Sequence, residues 1–165
     1  MDIAPNPETR LASFMSKYTP AIASLAESIL QKMRSRYPNA IEIVYDNYNA
    51  LAIGFGPSER ASEVIFSITL YPKWVSLFFM QAKGLPDPKC LLKGSGTVAK
   101  HVIVSSPDAL DDPPLMDLMQ QAIERAAVPL SAATRHRLVI KSISEKQRPR
   151  QPPESKKQGK IRHLE

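Results

Sequence analysis

Ile-Glu-Ile-Val-Tyr-Asp at 41–46 is followed by Leu-Ala-Ile-Gly-Phe at 51–55, Val-Ile-Phe-Ser-Ile-Thr-Leu-Tyr at 64–71 and Trp-Val-Ser-Leu-Phe-Phe-Met at 74–80. In each stretch apolar residues recur every second position, the period of a strand with one face buried. The breaks between them are short: Asp46-Asn47-Tyr48-Asn49, Gly56-Pro57-Ser58-Glu59-Arg60 and Pro72-Lys73. Links this short cannot make a crossover, so these strands are expected to pair as an antiparallel meander. Two shorter segments, Lys100-His101-Val102-Ile103-Val104 and Arg137-Leu138-Val139-Ile140-Lys141-Ser142-Ile143, extend the sheet to five or six strands.

The segments on either side of the meander repeat at helical spacing. Leu11, Phe14, Met15 and Tyr18 suit a short helix over Glu8 to Tyr18. Thr19-Pro20 is a capping residue followed by proline at the first helical position. From there Ile22, Leu25, Ala26, Ile29, Leu30 and Met33 form one apolar stripe, which Tyr37-Pro38 ends. Leu115, Leu118, Met119, Ala122, Ile123 and Ala126 mark another helix after Asp111-Asp112-Pro113-Pro114. The fold class is therefore α+β, an antiparallel meander sheet with helices packed on one face. If Ile43, Ile53, Phe66, Ile68 and Leu77 face the helices, the open face carries Glu42, Val44, Ile65, Ser67, Thr69 and Tyr71, joined by Trp74, Ser76, Phe78 and Met80.

The chain has 165 residues, 43% hydrophobic and 23% charged, enough for one domain with its own core. The unbroken apolar runs are only a few residues long, against about 20 for a membrane span. The N-terminus shows no basic stretch leading into an apolar core, so no secretory signal is expected. One cysteine, Cys90, excludes an internal disulfide and a multi-cysteine zinc site. Together these features predict a cytoplasmic protein.

The formal charge is +6, concentrated at one end. Residues 146–165 hold seven basic side chains, Lys146, Arg148, Arg150, Lys156, Lys157, Lys160 and Arg162, against Glu154 and Glu165. Rich in proline and poor in apolar residues, this stretch cannot bury enough surface to offset the ordering of its backbone. The expected organisation is a flexible lead at 1–7, one domain at 8–145 and a disordered basic tail at 146–165. Arg148, Arg150, Lys156, Lys157, Lys160 and Arg162 would give that tail weak, salt-dependent contact with nucleic acid. The plainer alternative is a solubilising extension.

Tyr-Pro-Asn-Ala-Ile-Glu at 37–42, Tyr-Asp-Asn-Tyr-Asn at 45–49, Leu-Leu-Lys-Gly-Ser-Gly at 91–96 and Lys-His-Val at 100–102 resemble the YdhG-like family, a bacterial group of domains of unknown function. The resemblance covers about residues 20–127. It implies a two-layer fold of the kind compared with frataxins, and an intracellular iron-binding chaperone as one possible role. It supplies no enzymatic activity. By residue type, the first long helix holds a single acid, Glu27, and the tight acidic group Asp108, Asp111 and Asp112 adjoins a helix start, where carboxylates serve as caps and dipole partners. Iron as a cofactor thus finds no acidic cluster.

No catalytic set emerges. His101, His136 and His163 are scattered, and Cys90 between Lys89 and Leu91-Leu92 reads as a buried, inert thiol. Lys93-Gly94-Ser95-Gly96-Thr97 brings backbone freedom and donors together as a phosphate or carboxylate cradle would. A flexible turn into the strand at Lys100 is the plainer reading of the same residues. The expected binding residues for a small or anionic ligand are Tyr71, Trp74 and Phe78 on the open face, with Lys93, Gly94, Ser95, Gly96, Thr97, Lys100 and His101 beside them. The same aromatic surface would also serve as a homodimer seam. A non-enzymatic ligand-binding domain is the reading the residues favour.

Overall fold

The computed structural model describes residues 5–153. Helix α1 spans Pro7–Met15 and α2 spans Pro20–Arg36. Both start as their sequences dictate: the Asn6 side chain accepts from the Thr9 N–H, the Thr19 hydroxyl accepts from the Ile22 N–H, and proline occupies the first turn of each. Strands β1 (Ile41–Asp46), β2 (Leu51–Gly56), β3 (Phe66–Leu70), β4 (Val75–Phe79) and β5 (Lys100–Ile103) follow. Then come α3 (Pro113–Glu124) and β6 (Arg137–Ile143).

The six strands form one sheet in the order β5-β4-β3-β2-β1-β6. The first five are an antiparallel meander, but β6 lies parallel to β1, so the sheet is mixed. The reason is spatial: the chain leaves β5 at one edge, passes through α3 and enters the sheet again at the far edge. A long connection of that kind imposes no hairpin and leaves the direction of the last strand free. The main core joins α1, α2 and α3 to one sheet face, with Ile29, Met33, Ile53, Phe66, Ile68 and Leu77 at its centre.

Strand pairing reverses the expected facing of β1. Val44 lies opposite Ile53 and joins the helix-side core, while Ile43 lies opposite Gly54 on the other face. Glu42 and Asp46 therefore point toward the helices, and both are completely buried. Apolar alternation misassigns this strand because its two acids are inside, each matched by a cation. Ile65, expected on the open face, belongs to the main core, whereas Val64 folds over Ile41 and Ile43 from the far side. A Cβ on Gly54 would come within 3.1 Å of the Val64 side chain, so glycine here admits the β2–β3 connection onto the sheet. The second face is thus partly roofed by the protein itself.

Two further expectations are corrected. Cys90 is exposed, not buried: it turns at φ 53° where the Asp87 carboxylate accepts the Leu91 and Leu92 N–H groups, which swings its side chain outward. Asp111 is not a helix cap. It pairs with Lys32 and with Arg36 of α2 at 2.8 Å, and Lys32 foremost holds its carboxyl below the usual range. The cap before it is Ser106, whose hydroxyl accepts the Asp108 N–H.

Candidate functional site

Both hairpin turns of the first four strands, 47–50 and 71–74, stand at one end of the sheet, where β1 and β3 run out. Because β6 is parallel to β1, it delivers residues 144–153 to that same end. The Ser144 N–H donates to the Asp46 carbonyl at 2.8 Å and the Arg148 N–H to the Tyr48 carbonyl at 2.9 Å, so this segment is strapped across the turn. Arg150 fastens it. The residue is 6% exposed, and its guanidinium lies 2.9 Å from the Asp46 carboxylate, donates to the carbonyls of Asn47 and Tyr48, and sits 5.8 Å over the Tyr18 ring. Gln151 reaches the Lys17 carbonyl at 3.2 Å.

Arg150 is therefore not a free cation of a tail, and residues 146–153 are an ordered part of the domain's surface. The error has a simple origin. Composition reports that a segment is polar, but a single arginine with a buried carboxylate waiting for it can anchor a segment that buries little else. Lys156, Lys157, Lys160 and Arg162, the remainder of the expected nucleic-acid contact, lie outside the described residues.

Between the strap and the β3–β4 turn opens a cavity of about 750 Å³. The turn is the two-residue link Pro72-Lys73, closed by the Tyr71 N–H donating to the Trp74 carbonyl at 2.9 Å. This places the Tyr71 and Trp74 rings in a stack, centroids 4.7 Å apart and 21° from parallel. Trp74 remains 40% exposed. The Tyr71 phenol is pushed above its ordinary pKa by burial, so its ring stays neutral. Across the cavity stand Arg148, Pro149, Gln151, Pro152 and Pro153, with Asn49 and Lys73 at its sides. Lys73 and Arg148 are exposed and make no ion pair among the described residues. Among the described residues the wall combines flat apolar rings, stiff prolines and two positive charges, with no carboxylate.

The other expected binding residues form a separate group. Phe78 is four residues beyond Trp74, roughly 13 Å along the strand. Its ring meets His101 at 5.0 Å on the second sheet face. Lys93 exchanges both backbone hydrogen bonds with His101, at 2.7 and 2.9 Å, so it covers the outer edge of β5. Gly94, at φ 115°, lets the chain turn back against the His101 ring, and a Cβ on Gly96 would come within 2.8 Å of the Ala99 carbonyl. Both glycines have a structural role in that turn. Ser95, Gly96, Thr97 and Lys100 line a second, smaller cavity of about 350 Å³ with Ala82, Lys83 and Leu92. The structure brings Tyr71 and Trp74 together, and Phe78 with His101, but does not merge the two groups into one site. The role of Arg148, Pro149 and Pro152 as a facing wall was not visible in the sequence, since only the direction of β6 brings them there.

Among the described residues, no three His, Cys, Asp or Glu side chains stand close enough to hold a metal ion. No helix among them is long and apolar enough to cross a membrane. Comparison with known proteins finds no matching family model, no similar curated protein and no similar solved structure.

Proposed function

We propose that this chain is a non-enzymatic binding domain of the YdhG-like kind, taking a small anionic ligand with a flat apolar body at the end of its sheet. The observation that carries the reading is the cavity between the Tyr71–Trp74 stack and the strap, with Lys73 and Arg148 as the charged groups among its described lining residues. Its volume falls within the range of about 300–1,000 Å³ common for small-molecule sites, and apolar walls with a few polar groups are their usual make-up. A ring would lie against Trp74, and a carboxylate, sulfonate or phosphate would meet the two cations. The sequence resemblance at 37–49 and 91–102 supports the family, and the Lys93–Thr97 turn remains a secondary location. A cytoplasmic setting follows from the same reading.

Trp74 is the chain's only tryptophan, so the site carries its own reporter. Titration with anilinonaphthalene sulfonate, a flat aryl anion, should give saturable energy transfer from Trp74 at one site. Lys73→Gln combined with Arg148→Gln should weaken it about tenfold, as expected for two solvent-facing charge contacts. Binding that is unsaturable, or unchanged in the double variant, would remove the reading.

A further inference from the structure

We infer that the ligand of this cavity is a segment of single-stranded nucleic acid, with a base on Trp74 and neighbouring phosphates on Lys73 and Arg148. The inference rests on the ligand-binding reading above and names its substrate class. With one face of the indole held by Tyr71 at 4.7 Å and the residue 40% exposed, a planar partner has a preformed and rigid surface on which to stack. Stacking on such a ring is tolerant of base identity, because every base has a π-face. Two cations border the space, one on the β3–β4 turn and one on the strap, and no acid is among the described residues that line it. That arrangement suits charge repeated along a chain better than a single charged group. Asn49 and Gln151 add amide groups at the sides, and Asn49 makes no side-chain hydrogen bond among the described residues. Pro149, Pro152 and Pro153 oppose the rings with a wall that loses little freedom when a base enters.

Charge on the sequence points the same way. Residues 146–165 as a sequence hold seven basic side chains against two acidic ones. A duplex has its bases closed in the stack and offers no face to Trp74.

The test uses the full chain and a labelled uridine oligonucleotide of about ten nucleotides, followed by anisotropy, with uridine monophosphate and a hairpin duplex as competitors. The oligonucleotide should bind and quench Trp74. Trp74→Leu, an exposed position whose folding is checked by circular dichroism, should weaken binding about ten- to a hundredfold. Lys73→Gln and Arg148→Gln should each reduce the slope of log affinity against log salt by about 0.7, the value for one contact to a single strand. Uridine monophosphate competing as well as the oligonucleotide would overturn the polymer and leave the small-ligand site standing. Oligonucleotide binding that is indifferent to all three substitutions would also overturn it. Failure of the oligonucleotide, the mononucleotide and the aryl sulfonate alike to perturb Trp74 would sink both readings.

Discussion

Glu42 and Asp46 stand four residues apart on β1, face the same way and are equally buried, yet they are held by very different parts of the chain. Glu42 is gripped by Arg34 of the neighbouring helix, whose Nε lies 2.9 and 3.1 Å from the two carboxylate oxygens, and by His136. Arg34 also reaches Glu8 of α1 at 2.9 Å, so this one side chain ties α1, α2 and β1 together. Asp46 is held by Lys17 at 3.2 Å and by Arg150 at 2.9 Å, more than a hundred residues away. The first acid is an internal rivet of the domain. The second is a fastening point for a segment that carries one wall of the cavity. Identical chemistry thus serves stability at one position and site assembly at the other.

The sharpest way to break this comparison is to remove the two arginines separately. Arg34→Ala leaves Glu42 buried with only His136 beside it, and should cost about 3–5 kcal/mol, the usual penalty for stranding a buried charge. Urea unfolding measures it, and a loss below about 1 kcal/mol would class the pair with ordinary surface pairs. Arg150→Ala should cost less, about 1–2 kcal/mol, because Asp46 keeps Lys17 and water replaces the strap. Its signature lies elsewhere: aryl-sulfonate binding at Trp74 should disappear and proteolytic cleavage within 144–153 should accelerate. Equal losses for the two variants would show that the strap is as integral as α2.

The smallest effect concerns Tyr18, which stands beside Arg150 on the Asp46 side. Its hydroxyl accepts the Leu51 N–H and donates to the Leu70 carbonyl, both at 3.1 Å. Burial pushes its pKa up to about 12, while Arg150 pulls the other way. The folded value lies above the ordinary one near 10, so the protonated phenol favours the native state. That contribution is complete below pH 10 and is lost as pH rises toward 12. Denaturant midpoints should fall across this window, and less so in Tyr18→Phe. A phenol absorbance titration in which no tyrosine of the native protein lags beyond pH 11 would contradict the assignment.

Much of this architecture could be read before any coordinates. Thr19-Pro20 and the Ile22–Met33 stripe define α2, and the period of two defines β1 to β4 almost to the residue, because those signals are local. Three features could not be read, and each depends on partners distant in sequence. The facing of β1 followed its isoleucines only on the assumption that acids lie outside, yet Arg34, eight residues before Glu42, was a cation placed to bury one. Nothing near Asp46 announces Arg150. The direction of β6 is set by the path of the connection through α3, and no residue within Arg137–Ile143 encodes it. The site was readable in part for the same reason: Tyr71 and Trp74 flank a two-residue turn and must meet, whereas their opposing wall arrives from across the molecule.

The two rims of the sheet are also unlike. Beyond β5 the backbone is already engaged by Lys93, and the turn around it blocks lateral approach. Among the described residues the outer rim of β6 is left uncovered, and there a slip in register beside Lys141 spoils the spacing a long partner would need. A rim capped on one side and kinked on the other works against the open-ended addition of further copies.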